Sequence, residues 1–170
     1  LPSDDTSSEM QDNIETLLAQ HGYEHYETSA FCKPKSQSRH NMNYWSFGDY
    51  LGIADWAHSK LSYHDKITRE TRHKHPKALM DHAEQGNAVD NTLLIAQKEL
   101  GCEFMLNALR LTGGVKSDLF QERTGVPLIT IAKQLAEAEN KGLIMQDQQL
   151  IKPTLIGQRY LNDLLITFLD

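Results

Sequence analysis

The spacing of apolar residues changes character once along this chain, and that change constrains the architecture more than any other feature. Up to roughly residue 85, one short helical stripe is followed by runs rich in aromatic and β-branched residues. Further on, nearly every apolar side chain recurs three or four positions after the last. Chemistry changes at the same place: all eight histidines, at 21, 25, 40, 58, 64, 73, 75 and 82, precede it. Net formal charge is −5 over residues 1–90 and −1 over 91–170. The polar stretch 81–91, with Gln85-Gly86-Asn87 at its middle, reads as a junction that divides the chain into 1–84 and 85–170.

In the first region Thr6 and Glu9 form a predicted capping box. Met10, Ile14, Leu17 and Leu18 follow at helical spacing until Gly22 offers a left-handed stop. Strands are predicted over 23–31, 50–57 and 66–75 from their aromatic and β-branched content. In the second region helices are predicted over 91–111, from Ser117 to Arg123, from Pro127 to Lys141 and from Pro153 onward. A hairpin turns at Gln146-Asp147-Gln148. Helices followed by a hairpin and a closing helix outline a winged helix.

Composition sets outer limits. At 170 residues the chain is too short for a complete eight-unit barrel, which takes about 250. Cys32 and Cys102 form neither a disulfide framework nor a CxxC metal pattern, and the reducing cytoplasm is the expected compartment. No apolar run reaches the roughly 20 residues of a membrane span. A chain that opens on Leu1 is expected to be part of a longer protein. Nucleic acid is not an expected partner, because the predicted recognition helix carries Lys133 against Glu137 and Glu139, and phosphate contacts need a basic footprint.

The densest group of chemically capable side chains is Arg39-His40-Asn41-Met42-Asn43-Tyr44-Trp45. A neutral imidazole can ligate iron or zinc, and neighbouring aromatics can stack on a flat ligand. Equally, Tyr44 and Trp45 can pack as ordinary core while Asn41 caps a turn. His73, His75 and His82 sit among cations and read as solvated surface, since two histidines need a third ligand to hold a metal.

Several segments, in order, resemble a known family. They are Tyr23-Glu24-x-Tyr26-Glu27-x-Ser29-x-Phe31, Ser38 to Trp45, Tyr50-Leu51-Gly52-Ile53 and Ala57-His58. Further on come Glu103 to Leu111, Leu119 to Gly125 and Leu161 to Leu165. Together they are similar to the oxygen-independent coproporphyrinogen III oxidase-like radical SAM proteins, and to the heme-chaperone (HemW-type) branch in particular. The resemblance implies an α/β region followed by a mainly α one: the terminal helix and strands of a partial radical SAM barrel over 1–84, then a winged-helix-like domain over 85–170.

The resemblance further implies heme as ligand, with His40 as axial metal ligand and Asn41, Tyr44 and Trp45 beside it. Gly52, Ala54, Asp55, Trp56 and His58 fall where the family contacts its cofactor. There the family runs Gly-Ala-Gly-Ala-His, and here the run is Ala54-Asp55-Trp56-Ala57-His58, so the segment has either lost part of that site or turns these side chains elsewhere. The [4Fe-4S] cluster and S-adenosylmethionine belong to a CxxxCxxC segment that this chain lacks, and two cysteines cannot supply three thiolates. The implied partners are heme or porphyrin, heme-accepting proteins and the remaining N-terminal part of the barrel, and unpaired strand edges favour a homodimer. By itself the chain is not expected to be an enzyme. Oxidative decarboxylation of coproporphyrinogen III by the longer protein, and DNA binding by the winged helix, are the alternative readings.

Overall fold

The computed structural model describes residues 2–169. In chain order its first part holds α1 (Asp4–Gln20), β1 (Glu24–Glu27), β2 (Ala30–Cys32), α2 (Arg39–Trp45), β3 (His58–Ser62), β4 (Ile67–Arg72), α3 (Pro76–Glu84) and β5 (Val89–Leu94). The rest holds α4 (Leu100–Ala108), β6 (Val115–Lys116), α5 (Ser117–Thr124), α6 (Ala132–Asn140), β7 (Ile144–Gln146), β8 (Leu150–Pro153), α7 (Leu155–Arg159) and α8 (Leu161–Ile166). The strands form three antiparallel sheets, β1-β2, β3-β4-β5 and β6-β8-β7. The architecture is mixed α/β, and no closed barrel is present among the described residues.

Several expected elements shift. Ser3 caps α1, its hydroxyl accepting the Thr6 N–H at 3.2 Å, so the helix starts ahead of the expected Thr6–Glu9 box. The run 23–31 is a hairpin, because the Thr28 N–H leaves the strand to donate to the Arg110 carbonyl at 3.0 Å. Over 50–57 the strand is absent: Tyr50 makes one bridge to Lys60, and a turn ends at Trp56, whose φ is +55°. The third expected strand is β4. Residues 91–94 belong to β5 rather than to a helix, paired in register with Thr68 to Thr71, and the helix begins only at Leu100. The expected junction at 84/85 therefore lies between α3 and a strand that completes the sheet of the first region. The helix expected from Pro127 opens as a 3-10 turn, Leu128–Ile131, before α6. The last helix breaks at Tyr160 into α7 and α8.

One core holds the molecule together. Leu100, Phe104, Met105 and Ala108 of α4 face Phe120, Ile131, Leu135, Ile144, Ile151, Leu164 and Phe168. Among the described residues up to 84, Phe47 and Ile67 are its buried members, and Met42 and Trp45 pack against it partly buried. Phe104 is fully buried and meets Phe47 and Phe120 edge to face, at centroid distances of 5.8 and 5.2 Å. Elsewhere in the first region Met10, Ile14, Leu17, Leu51, Ile53 and Trp56 are exposed.

Phe47 is held at φ +54°, a backbone region that bulky residues avoid. The turn that follows is locked from several sides. Gly48 N–H donates to the Asn43 carbonyl at 2.7 Å, and Asn43 Nδ2 donates to the Asp49 carbonyl at 2.8 Å. Asp49 accepts from Lys60 Nζ (3.1 Å), Ser62 N–H (2.9 Å) and the Ser62 hydroxyl (2.7 Å), and Lys60 Nζ also lies 4.1 Å from the centre of the Phe47 ring. Burial opposes ionisation of Asp49, but the two Ser62 hydrogen bonds and Lys60 outweigh it and hold the carboxyl below its usual value. Burial pulls Lys60 below the usual lysine range even with Asp49 beside it. The pair therefore favours the half-exposed carboxylate at the expense of the buried ammonium.

Phe104→Ala is expected to destabilise the chain by about 3–5 kcal/mol, because both aromatic neighbours lose their packing partner; a urea melt measures it, and a loss within experimental error would refute the central position of this ring. Because the Asp49 carboxyl is held below its usual value, its contribution to stability is present above roughly pH 4 and drains away as pH falls through the folded value. Thermal melts of Asp49→Asn should therefore show a flatter acid limb than the parent chain, and parallel limbs would remove Asp49 from that role.

Candidate functional site

Helix α2 has only seven residues, too short to be stable alone, so contacts with its neighbours set its position. The Ser38 hydroxyl accepts the Asn41 N–H at 3.3 Å and starts the helix. Asn41 Nδ2 donates to the Tyr26 hydroxyl at 3.2 Å and ties the helix to β1. Trp45, half-buried against the core, lies under the Arg110 guanidinium, 4.6 Å from ring centre to Cζ. The indole Nε1 of Trp45 and Nε of Arg110 are buried without a hydrogen-bond partner.

The same helix also presents an open face. His40 is exposed, and no described residue hydrogen-bonds its ring nitrogens. Its ring lies 4.8 Å from that of Tyr44, one turn on, and Tyr44 stacks on Tyr50 at 4.5 Å with 27° between planes. Three rings thus form a row from an exposed imidazole to a phenol at the sheet edge. Burial pushes the Tyr50 hydroxyl above its usual pKa, with Arg69 opposing the rise and Tyr44 and Glu103 adding to it. Tyr50, Arg69 and Glu103 were not among the expected site residues. Tyr50 and Glu103 do fall in segments that carry the resemblance, and Arg69 is one of the cations spaced along 66–77.

Residues 52–58 form a separate group. Gly52 has no side chain because the chain itself fills the space: an added Cβ would lie 2.4 Å from the His58 carbonyl oxygen. Its N–H donates to Ser59 Oγ at 3.0 Å and its carbonyl accepts from Arg72 Nε at 2.9 Å. Ala54, Asp55 and Trp56 lie on an exposed turn, and Lys74 Nζ sits 4.3 Å from the Trp56 ring centre. His58 meets Trp56 edge-on at 6.2 Å. The turn leaves the indole and the carboxylate exposed. The two groups are linked through β3, where His58 lies two residues before Lys60, the bridge partner of Tyr50.

Among the described residues no group of three or more His, Cys, Asp or Glu side chains is arranged to hold a metal ion. His73 and His82 do meet, at 4.0 Å between rings, with Asp90 Oδ1 3.2 Å from His73 Nδ1. Cys32 is buried, and burial together with Glu103 and Glu99 raises the Cys102 thiol above its usual value, so Cys102 is not a ready thiolate. The residues present therefore do not fit an iron–sulfur cluster. No helix among the described residues is long and apolar enough to cross a membrane. Segments 23–31, 107–111 and 161–165 meet around a cavity of about 500 Å³ lined by His25, Arg110, Arg159, Tyr160 and Asn162, among others.

Residues 95–160 match the HemN C-terminal domain. The chain is 36% identical to the heme chaperone HemW of Escherichia coli (strain K12) over 99% of its own length and 44% of that protein. It is 34% identical to the heme chaperone HemW of Haemophilus influenzae, over 99% of this chain and 43% of the relative. It thus spans less than half the length of these curated relatives. Among solved structures it is similar to the coproporphyrinogen III oxidase HemN of Escherichia coli, a radical SAM enzyme, with a TM-score of 0.67 and 18% identity over 99% of this chain and 42% of that one. That likeness concerns the fold. The domain match and the identities to the two chaperones show that the chain belongs with the HemN and HemW proteins and corresponds to their C-terminal part.

Proposed function

We propose that this chain binds heme as cargo on the open face of α2 and holds it for transfer to an acceptor protein. The observation that carries the reading is the row His40–Tyr44–Tyr50: an accessible imidazole whose nitrogens are not engaged by the protein, continued by two stacked aromatic rings. Imidazole supplies an axial ligand to iron, and the phenol rings supply apolar contact for a porphyrin plane. Asn41 and Trp45 act from the other side of the helix, fixing its position through Tyr26 and Arg110. The naming of the bacterial relatives as heme chaperones supports the same reading.

Residues 1–84 are proposed to complete a partial barrel whose other strands cover Met10, Ile14 and Leu17, and 85–170 to form a separate domain, with β5 reaching back to the first sheet. The order α4, β6, α5, α6, β7, β8 and the sheet order β6-β8-β7 support a winged-helix-like description of that domain. On α6, Lys133 faces the competition of Glu137 and Glu139, which favours a protein-facing module over a DNA reader. The longer protein is proposed to carry the iron–sulfur cluster and S-adenosylmethionine, with Ala54, Asp55, Trp56 and His58 nearest the latter, and to work in the cytoplasm. Unpaired edges at β2 and β5 leave a homodimer as a further proposal. The fold likeness to a coproporphyrinogen III oxidase favours one second reading, in which the longer protein decarboxylates that substrate; product formation by the longer protein separates it from a chaperone.

Hemin titrated into the chain is expected to shift and sharpen the Soret band. His40→Ala should weaken the complex by more than about tenfold, since an axial bond contributes more than the ~1.4 kcal/mol that a tenfold change represents. Equal binding by the variant would take His40 out of the site.

A further inference from the structure

Resting on the heme-binding reading, we propose that Arg69 anchors a carboxylate of the porphyrin, and that Glu103 competes for the same guanidinium. The porphyrin of heme carries two propionate side chains, so a face that binds it edge-outward leaves carboxylates near the rim of the aromatic row. The backbone places a cation there. Tyr50 exchanges both backbone hydrogen bonds with Lys60, at 3.1 and 3.0 Å, and Lys60 lies directly opposite Arg69 in the β3–β4 register. Residues opposite one another in antiparallel pairs share a sheet face. Tyr50, Lys60 and Arg69 are therefore side by side, and Tyr50 is the last ring of the row that begins at His40.

The three side chains are differently engaged. Lys60 is buried and committed to Asp49, Ser62 and the Phe47 ring, so it is not available to a ligand. Arg69 is partly exposed, at 42% of its side-chain surface, and among the described residues its guanidinium pairs through Nη2 alone, with Glu103 of α4. Its Nε is buried without a hydrogen-bond partner. A guanidinium offers five N–H donors in a planar fork that accepts carboxylates two N–H groups at a time. With Nη2 engaged by Glu103 and Nε buried, Nη1 is the nitrogen left to donate to a second carboxylate beside Glu103. The charge of Glu103 makes that second contact weaker than it would be on a free arginine.

The test compares hemin with its dimethyl ester, which keeps the ring and the iron and lacks both carboxylates. The parent chain should bind hemin about tenfold more tightly than the ester, the discrimination expected of one charge-assisted contact. Arg69→Gln should bind both alike, with the Soret position unchanged because the axial ligand is untouched. Arg69→Lys should recover only part of the discrimination, since it keeps the charge and loses the fork. Glu103→Gln should tighten hemin and leave the ester unchanged. Equal affinity of the parent chain for hemin and ester overturns the anchor without needing any variant to fold. Discrimination that survives in a folded Arg69→Gln, while His40→Ala still weakens binding by more than about tenfold, overturns the anchor alone and leaves the aromatic face standing. Failure of the parent chain to bind hemin at all overturns both.

Discussion

The buried ring of Phe104, packed edge to face by Phe47 on one side and Phe120 on the other, joins the first region to the helical core. Phe104 lies at the centre of α4, and its two neighbours come from opposite directions in sequence. Phe120 belongs to the helical part, where many other side chains would hold it. Phe47 is different, because among the described residues up to 84 it and Ile67 are the buried members of the core, and its backbone is strained at φ +54° to reach that position. Such a conformation persists only where the surroundings over-determine it. Here the Asn43–Gly48–Asp49 hydrogen bonds and the buried Lys60 supply that constraint. The turn that delivers Phe47 directly follows α2, so the same contact fixes where the His40 helix stands relative to the core.

The core is strongly lopsided, and the imbalance has a functional meaning. Nearly all buried apolar residues lie between Ile95 and Phe168, while Met10, Ile14 and Leu17 of α1 and Leu51, Ile53 and Trp56 of the 50–57 loop remain half or more exposed. A first region built this way is held in place by a few anchoring contacts. The Arg159 to Asp12 ion pair and the Thr28 and Thr112 hydrogen bonds to the opposite part are of that kind. The second region works as a scaffold, and the first presents surfaces upon it.

Elements whose start and stop are encoded locally were legible in the sequence. Gly22 closes α1, Gly125 closes α5 in a left-handed cap at φ +70°, and Asp147 turns the β7–β8 hairpin through its own carboxylate, which accepts from Gln149 and Leu150 N–H. Elements that depend on distant partners were not. Thr28-Ser29 has no glycine, proline, asparagine or aspartate to mark a turn, and the chain reverses where the Arg110 carbonyl, 82 residues away, accepts from the Thr28 N–H and hydroxyl. Asn91 to Leu94 fits a helical stripe as well as a strand, and pairing with β4 decides the matter. The site divides the same way. His40, Asn41, Tyr44 and Trp45 stand within one short helix and could be read together, whereas Arg69 and Glu103 reach the row only through strand register and the packing of α4 on the sheet.

Helix α2 therefore has two sides with opposite requirements. On one, Asn41 and Trp45 contact Tyr26 and Arg110 and leave the helix little freedom. On the other, His40 and the Tyr44 ring remain accessible, as the proposed release of a ligand to an acceptor requires. A buried heme pocket gains affinity from complete desolvation and exchanges slowly as a result, since tight complexes differ from weak ones mainly in their off-rates. An open face with a single imidazole and a short aromatic row gives up that enclosure. What it retains is orientation: the ligand-facing side chains project from a helix whose position is set by the side it buries. Specificity on such a face has to come from the edge of the ligand, where a partly committed arginine can distinguish carboxylate from ester while leaving the iron accessible to an acceptor.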